Sequence, residues 1–290
     1  MEFLQPTSWA EALEAKAAHP KAVPIQGGTD VMVELNFDRH RPPALLDLNR
    51  VEELARWERA NGTVRLGAAV SYARTIAELG DLLPGLAMAA RTVGSPQIRN
   101  RGTVAGNLGA ASPAGDSHPA LLAVDAEVEV ESVRGTRTIP VAEFYTGVKR
   151  NVLAPDELIR ATLVPVATGP QQYSKIGTRN AMVIAVAAFG LALHSGQQRV
   201  GTGIGSAAPT PRRARDAEAY VAEALDAGGY WDNRDPVPDT VATRFGDLVA
   251  SAAAPIDDVR GSARYRAHAL SVMARRALVW AWNEYRGGAV

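Results

Sequence analysis

The chain has 290 residues, 47% of them hydrophobic and 21% charged, which predicts a globular protein large enough for two domains. Basic and acidic residues number 31 each, so the formal net charge is zero and gives no reason to expect nucleic acid or an anionic membrane as a partner. Cysteine is absent, and the chain therefore cannot ligate an iron–sulfur cluster or form a disulfide.

The first 50 residues predict a small parallel unit. Ser8 and Glu11 have the spacing of a capping box and open a helix, which is followed by the strand KAVPI. A glycine pair comes next, then the helix VMVELNF, capped by Thr29 or Asp30, and the strand PALLDLNR. The N-terminus has no basic region followed by an apolar core, and the longest apolar run, residues 181–193, is shorter than the roughly 20 residues that span a bilayer. We therefore expect a soluble cytoplasmic protein.

The middle of the chain predicts strands and helices in an antiparallel setting. TVRLGAAV is a strand, SYARTIAEL is a helix capped by Ser71, and LPGLAMAARTV is another helix. The segment AEVEVES alternates strictly, with Val128 and Val130 on one face, and a turn at Arg134-Gly135 makes it the first half of a hairpin. ELIRATLVP closes this region as a strand.

A domain boundary is predicted at residues 164–172, which are rich in proline, glycine and threonine. Three strands follow, in QYSKIGT, MVIAVAAFGLAL and RVGTGIGS, although the second could also be a buried helix. The last 80 residues are mostly helical. The final helix starts at Ser262, and its apolar stripe, which we predict to face the core, consists of Leu270, Met273, Ala277 and Trp280.

The stretch VPIQGGTDVM indicates a ligand that approaches the backbone. Residues without a Cβ can turn tightly, and consecutive backbone N–H groups in such a turn form a nest for an anion. A helix that begins just afterwards adds its positive end, so phosphate is a natural occupant. The alternative is a plain glycine turn between a strand and a helix.

A second glycine-rich segment, residues 95–119, supports the first. It is long for a connection, and its Thr103 and Gly106-Asn107 repeat the chemistry of the first turn. Two nests of this kind could hold a pyrophosphate from two sides; the alternative is two unrelated surface loops. The five histidines have no metal-ligand spacing, and no residue is singled out as a general base or nucleophile.

The two glycine segments, PIQGGTDVM and RNRGTVAGNLGAASPAGDSHPAL, resemble those of the FAD-binding medium subunit of the molybdenum hydroxylases, the xanthine dehydrogenase and carbon monoxide dehydrogenase family. The order of later segments is similar too, through YSKIGTRNAMVIA to DDVRGSARYRAHALSVMARRAL, so that the likeness covers nearly the whole chain. Among members, the chain is most similar to the separate-subunit bacterial xanthine dehydrogenase type.

The resemblance implies an α+β fold: a vanillyl-alcohol-oxidase-type (PCMH-type) FAD-binding domain and a C-terminal α+β domain with a three-stranded antiparallel sheet and helices. The FAD-binding domain would comprise residues 1–167, in subdomains of about 1–55 and 56–167, and the C-terminal domain residues 168–290.

The same resemblance implies the residues that contact FAD. The first pyrophosphate turn would consist of Pro24, Ile25, Gln26, Gly27, Gly28, Thr29, Asp30 and Val31. The second would run from Thr103 to Asn107 and include Gly106, with Val93 and Gly94 near the flavin. The remaining contacts would be acidic at Asp116, apolar at Ile159 and basic, near the ring, at Lys175.

Two positions depart from the family pattern. Ala105 stands where many members have glycine, which costs nothing if its φ is negative and strains the chain if its φ is positive. Some members place a tyrosine close to the flavin near the position of Met182, and this chain has none there. Gating by such an aromatic residue therefore does not carry over.

The resemblance implies a division of labour between subunits. A large subunit with a molybdenum cofactor oxidises the substrate, and a small subunit with [2Fe–2S] clusters passes the electrons to non-covalently bound FAD on this chain, from which NAD or another acceptor takes them. The assembly would be a dimer of heterotrimers. The alternatives are a stand-alone flavin oxidase of the same fold, with His118 as the nearby candidate for covalent attachment, and a non-redox nucleotide-binding module.

Overall fold

The computed structural model describes residues 1–288; residues 289 and 290, the end of the predicted C-terminal domain, lie outside the described residues. Strands and helices are mixed in an α+β arrangement, which confirms the predicted fold class. The strands are β1 (Glu2–Leu4), β2 (Val23–Ile25), β3 (Ala44–Asp47), β4 (Trp57–Ala60), β5 (Thr63–Gly67), β6 (Glu127–Ser132), β7 (Gly135–Pro140), β8 (Tyr145–Gly147), β9 (Arg150–Asn151), β10 (Leu158–Pro165), β11 (Gln171–Ile176), β12 (Ala187–His194) and β13 (Arg199–Gly205). The helices are α1 (Trp9–Ala18), α2 (Val31–Asn36), α3 (Tyr72–Glu78), α4 (Pro84–Arg91), α5 (Pro96–Arg101), α6 (Val104–Ala110), α7 (Ser117–Ala123), α8 (Arg215–Ala227), α9 (Tyr230–Asn233), α10 (Asp239–Ser251) and α11 (Ala263–Arg286).

A parallel sheet in the order β1–β3–β2 opens the chain. Helix α1 begins after Ser8, whose side chain accepts a hydrogen bond from the Glu11 backbone N–H. The Glu11 carboxylate reaches one residue further back than a capping box predicts, because it accepts from the Thr7 backbone N–H at 2.7 Å. Strands β2 and β3 end side by side at Ile25 and Asp47. The segments that follow these two strands therefore start at one edge of the sheet, where ligands of parallel sheets bind.

A five-stranded antiparallel sheet follows, in the order β4–β5–β10–β6–β7. Val128 and Val130 of the predicted hairpin are both buried. The indole Nε1 of Trp9 on α1 donates a hydrogen bond of 2.9 Å to Glu131 on β6, so the two sheets are joined by that helix. One hydrophobic core runs through both sheets, from Leu46 on β3 to Leu108 on α6.

The C-terminal sheet has the predicted antiparallel order β11–β12–β13. Its outer face carries α8, α10 and α11, which enclose a second core. Its inner face lies against α7, so closely that a Cβ on Gly203 would stand 2.1 Å from the Pro119 carbonyl oxygen. The glycines of GTGIG in β13 are thus required by helix–sheet contact and not by a nucleotide.

Two predictions about helical segments are wrong, one in α11 and one in residues 95–119. Trp280 is 49% exposed, whereas Trp282 is fully buried. The buried stripe of α11 keeps the period of a straight helix and passes from Ala277 to Ala281 and Trp282. Residues 95–119 are not one long connection but contain α5, α6 and the start of α7, whose N-cap residues are Ser95, Thr103 and Asp116. None of the helices in residues 1–288 is long and apolar enough to cross a membrane.

Candidate functional site

The two glycine turns lie against each other. Gly27, directly after β2, packs on the segment before α6: a Cβ at Gly27 would stand 2.1 Å from the carbonyl oxygen of Arg101, and no side chain fits there. Gly28 has φ +72°, in the left-handed region that glycine favours. The glycine pair therefore has two separate causes, the close approach of the second turn at Gly27 and the backbone conformation at Gly28.

The second turn is built by the start of α6. Thr103 is its N-cap, and the Thr103 Oγ1 accepts a hydrogen bond of 2.9 Å from the Gly106 backbone N–H. Ala105 lies within the right-handed helix, so the alanine at this position causes no backbone strain. Asn107 accepts a hydrogen bond of 3.3 Å from the Ser117 backbone N–H and thereby joins α6 to α7.

The predicted cap of α2 is absent. Asp30 occupies the N-cap position, but neither its side chain nor that of Thr29 closes the first turn of the helix with a hydrogen bond. Helix α2 has no buried residue, and its Glu34 pairs with Lys149 in the β8–β9 turn. The side chains of Thr29 and Asp30 are therefore not used to cap α2.

A buried ion pair connects the site to the C-terminal sheet. The Nζ of Lys175 on β11 donates to the Asp116 carboxylate at 2.7 Å and to the Thr92 carbonyl at 3.2 Å. The Tyr173 hydroxyl donates to the other Asp116 oxygen at 3.3 Å. Burial raises the pKa of the Asp116 carboxyl, and the charge and hydrogen bond of Lys175 oppose that shift. This cluster places a positive charge beside the turn that follows Thr92.

That turn contains the predicted Val93 and Gly94. Gly94 has φ +45°, and a Cβ there would lie 2.8 Å from the side chain of Ile98. Arg99 donates from Nη1 to the carbonyls of both Val93 and Gly94, at 3.0 Å each, and so fixes the path of the turn. No residue pattern around Arg99, Thr92 or Tyr173 identifies these contacts in the sequence, because each joins segments that only the folded chain brings together.

A second buried network supports α7. The Tyr72 and Ser117 hydroxyls lie 2.8 Å apart, and the Tyr145 hydroxyl lies 2.7 Å from Nδ1 of His118. Burial raises the pKa of Tyr72 well above its ordinary value and lowers the pKa of His118 to about 3, so both side chains are neutral near pH 7. The His118 ring is fully buried and its Nε2 lies against Gly115. His118 is therefore a core residue.

The structure brings most of the predicted site residues into two groups. One group consists of the two glycine turns, and the other of the Val93–Gly94 turn with the Asp116–Lys175 ion pair. Pro24 and Ile25 lie in β2, directly before the first glycine turn. Val31, directly after that turn, is the first residue of α2. Ile159 on β10 packs under α6, with its Cδ1 3.8 Å from the point where a Cβ on Gly109 would be. Met182 has φ +50° and is 55% exposed, in the segment between β11 and β12.

One buried polar atom in the first turn lacks a partner within the protein. Gln26 Oε1 has no hydrogen-bond donor within residues 1–288, although it is removed from solvent. Buried acceptors of this kind are costly unless a donor satisfies them. FAD carries hydroxyl, imide and amino donors as well as a diphosphate, so the turns fit a dinucleotide of this kind.

Family comparisons agree with that geometry. A family model described as the FAD binding domain in molybdopterin dehydrogenase matches residues 1–167, more than half of the chain. The chain belongs to this family of FAD-binding flavoproteins. A second model, described as the CO dehydrogenase flavoprotein C-terminal domain, matches residues 172–281 of the flavoprotein. The resemblance stated from the two glycine segments is thereby confirmed.

Two relatives of this flavoprotein are named as FAD subunits of dehydrogenases. The nicotinate dehydrogenase FAD-subunit of Eubacterium barkeri is 34% identical over 202 residues, which cover 66% of this chain and 68% of that protein. The xanthine dehydrogenase FAD-binding subunit of Escherichia coli O157:H7 is 29% identical over 284 residues, 93% of this chain and 91% of that protein. Among solved structures, a carbon monoxide dehydrogenase chain from Hydrogenophaga pseudoflava matches with a TM-score of 0.88 and 27% identity, over 98% of both chains. The flavoprotein is thus an oxidoreductase subunit of the molybdenum hydroxylase class.

Proposed function

We propose that this chain is the electron-transfer subunit of a molybdenum hydroxylase complex, which takes electrons from the [2Fe–2S] clusters of a small subunit and passes them from FAD to NAD or another acceptor. Relatives whose names describe them as medium chains or FAD subunits of dehydrogenases support this role. The absence of cysteine requires that any iron–sulfur cluster belongs to another chain. A large molybdenum subunit and a dimer of heterotrimers complete the proposed assembly.

We further propose that FAD is bound without a covalent link. The first turn, Pro24 to Val31, would face the diphosphate with its backbone N–H groups from Gly27 onward. Thr103, Gly106 and Asn107 at the start of α6 would lie against the diphosphate from the other side. Val93, Gly94, Asp116, Ile159 and Lys175 would surround the flavin. The two boundaries, near residue 55 and at residue 167, stay predictions of the domain organisation; the family-model match that ends at residue 167 supports the second.

Each part of the site has a distinct chemical task. FAD, when bound, supplies the redox chemistry by accepting and releasing two electrons. Lys175 would stabilise negative charge that develops on the ring, and Asp116 would hold the Lys175 ammonium in place. The Val93–Gly94 turn, fixed by Arg99, would exclude water from one side of the ring. No general base is needed, since the hydroxylation of the substrate belongs to another subunit.

The observation that supports the proposal best is the contact of Gly27 with the Arg101 carbonyl, because the two glycine turns that we propose to bind the diphosphate meet there. The test is to purify the chain with the proteins that accompany it and to measure visible flavin absorbance, iron and molybdenum in the same fractions. We expect all three together, with FAD released by acid, and oxidation of the reduced complex by NAD or a redox dye. A chain that stays colourless after addition of FAD would contradict the proposal.

The oxidase alternative has less support. Covalent attachment through His118 would require its ring to reach the flavin, yet the ring is fully buried and its Nδ1 is paired with Tyr145. Reduction of the isolated chain by an organic substrate, without partner subunits, would favour the oxidase. The cytoplasmic location stays a prediction, which cell fractionation can test.

A further inference from the structure

One side chain links the two glycine turns. Arg101, the last residue of α5, extends its Nη2 to the Gln26 carbonyl at 3.2 Å and to the Asn49 Oδ1 at 2.8 Å. Within residues 1–288, the contact to Gln26 is the only hydrogen bond that joins residues 23–32 to residues 93–119. The spacing of the turns therefore depends on this side chain as well as on van der Waals contact.

The acceptor Asn49 is itself held in place. Asp47, at the end of β3, accepts from the Asn49 backbone N–H at 3.0 Å and from its side-chain Nδ2 at 2.5 Å. Burial alone would raise the pKa of Asp47, but the hydrogen bonds from Asn49, with smaller effects of Gln5 and of the Arg101 charge, lower it below its usual value. Asp47 thus remains a carboxylate, and the Arg101 guanidinium is anchored to the edge of the parallel sheet.

Arg101 acts on the first turn at two points. Its backbone carbonyl packs against Gly27, and its side chain donates a hydrogen bond to the carbonyl of the neighbouring Gln26. A single residue thereby fixes both the distance and the orientation between the turns. Sites that are held in their binding geometry before a ligand arrives bind it more tightly, since less order is lost on association.

We propose that Arg101 is a positioning residue for the diphosphate of FAD, which it serves by holding the two glycine turns at the spacing that lets both bind the same ligand. The inference rests on the proposed binding of FAD between these turns. It assigns to Arg101 no contact with the flavin and no part in electron transfer. We call the Arg101 side chain with its two acceptors, the Gln26 carbonyl and Asn49 Oδ1, the clasp. Asn49 anchors the clasp to the parallel sheet.

The test is flavin release from the full chain in its purified complex. Arg101→Gln removes the charge and shortens the side chain, Asn49→Ala removes one acceptor, and Arg101→Lys keeps a cation that can still donate to both acceptors. Arg41→Gln is the matched control, because Arg41 is exposed and its one ion pair within residues 1–288 is with nearby Asp38. For each variant the flavin is removed and FAD is added back, and its dissociation constant and release rate are followed by fluorescence.

We expect Arg101→Gln to weaken FAD binding about tenfold, mainly through faster release, as the loss of a charge-assisted hydrogen bond implies. Asn49→Ala should show a smaller effect, the double variant should be no worse than Arg101→Gln alone, and Arg101→Lys should recover most of the affinity. The unfolding midpoint of the flavin-free complex should stay at the wild-type value, which separates positioning from a general loss of stability.

Wild-type release rates in both Arg101→Gln and Asn49→Ala would overturn the clasp while leaving the proposed function intact. Additive effects of the two substitutions would also overturn it, because they would show that Arg101 does not act through Asn49. If the wild-type complex takes up no FAD at all, the proposed function fails, and the clasp fails with it. Should Arg101→Gln not assemble, Asn49→Ala alone still decides the matter.

Discussion

Lys175 on β11 and Asp116 at the start of α7 form a buried ion pair of 2.7 Å, which connects the C-terminal sheet to the glycine-rich region. Both side chains are almost inaccessible, at 7% and 12% exposure. The positive charge that we assign to the flavin environment is thus held by a carboxylate from the other domain. Docking of the two domains and the electrostatics of the site depend on the same contact.

We predict that Lys175→Met destabilises the protein by about 3 kcal/mol, since it leaves the Asp116 carboxylate buried without its partner. In the flavin-loaded complex, the midpoint potential of FAD should become more negative, because the charge that favours the reduced form is gone. Urea unfolding and a redox titration measure the two effects. The double variant Asp116→Asn/Lys175→Met should regain part of the stability, while its midpoint potential should stay as negative as that of Lys175→Met. A wild-type potential in Lys175→Met would show that Lys175 does not act on the flavin.

Gly27→Ala should weaken FAD binding by about 1–3 kcal/mol, because the added Cβ would stand 2.1 Å from the Arg101 carbonyl oxygen and must push the turns apart. Equilibrium binding of FAD to the flavin-free complex is the measurement. Gly196→Ala is the matched control, since a Cβ there would have open space around it. Unchanged affinity in Gly27→Ala would show that the spacing of the turns is not critical.

Thr103→Ala should cost about 1 kcal/mol of folding stability, because it removes the side chain that caps α6, and it should also weaken FAD binding. Ser262→Ala serves as the control, as Ser262 caps α11 in the C-terminal domain and accepts from the Tyr265 N–H. The control should lose similar stability in thermal unfolding yet keep wild-type FAD affinity. Equal losses of affinity in both variants would mean that Thr103 acts through stability alone.

His118 predicts how stability depends on pH. Its pKa is lowered by burial to about 3 in the folded protein, against about 6.5 in the unfolded chain, so the unfolded state binds more protons between these values. This contribution to stability is complete above about pH 6.5 and is lost as the pH falls toward 3. Chemical unfolding of wild type and His118→Asn at several pH values should give a difference in free energy that shrinks as the pH falls through that window; a constant difference would contradict the buried neutral imidazole.

Local sequence signals predict a large part of this fold. Strict alternation predicts β6 with Val128 and Val130 buried, and the cap residues Ser8 and Ser71 mark the starts of α1 and α3. Strand and antiparallel order in the C-terminal sheet follow from β-branched content and from the family resemblance. These features depend on short stretches of chain, which is why the sequence alone is sufficient for them.

Features that join distant segments are the ones that sequence reasoning misses. Arg101 meets Gln26 and Asn49 only after folding, and Tyr173 meets Asp116 in the same way. The glycines of residues 102–109 predict a connection and not helix α6, although Thr103 is a suitable N-cap residue. Trp282 and not the predicted Trp280 lies in the core, because the buried stripe continues from Ala277 by a step of four residues, to Ala281, where the prediction took a step of three.

Helix α2 places no side chain in the core and is tied by Glu34 to Lys149 across the β8–β9 turn. Its amide hydrogens are consequently protected by little besides the helix itself and whatever occupies the glycine turn at its start. Hydrogen–deuterium exchange over residues 31–36 would then report directly on cofactor loading, with fast exchange in the stripped protein and slow exchange once the turn is filled. A helix that buries none of its residues would in this way report how much of the protein carries its cofactor.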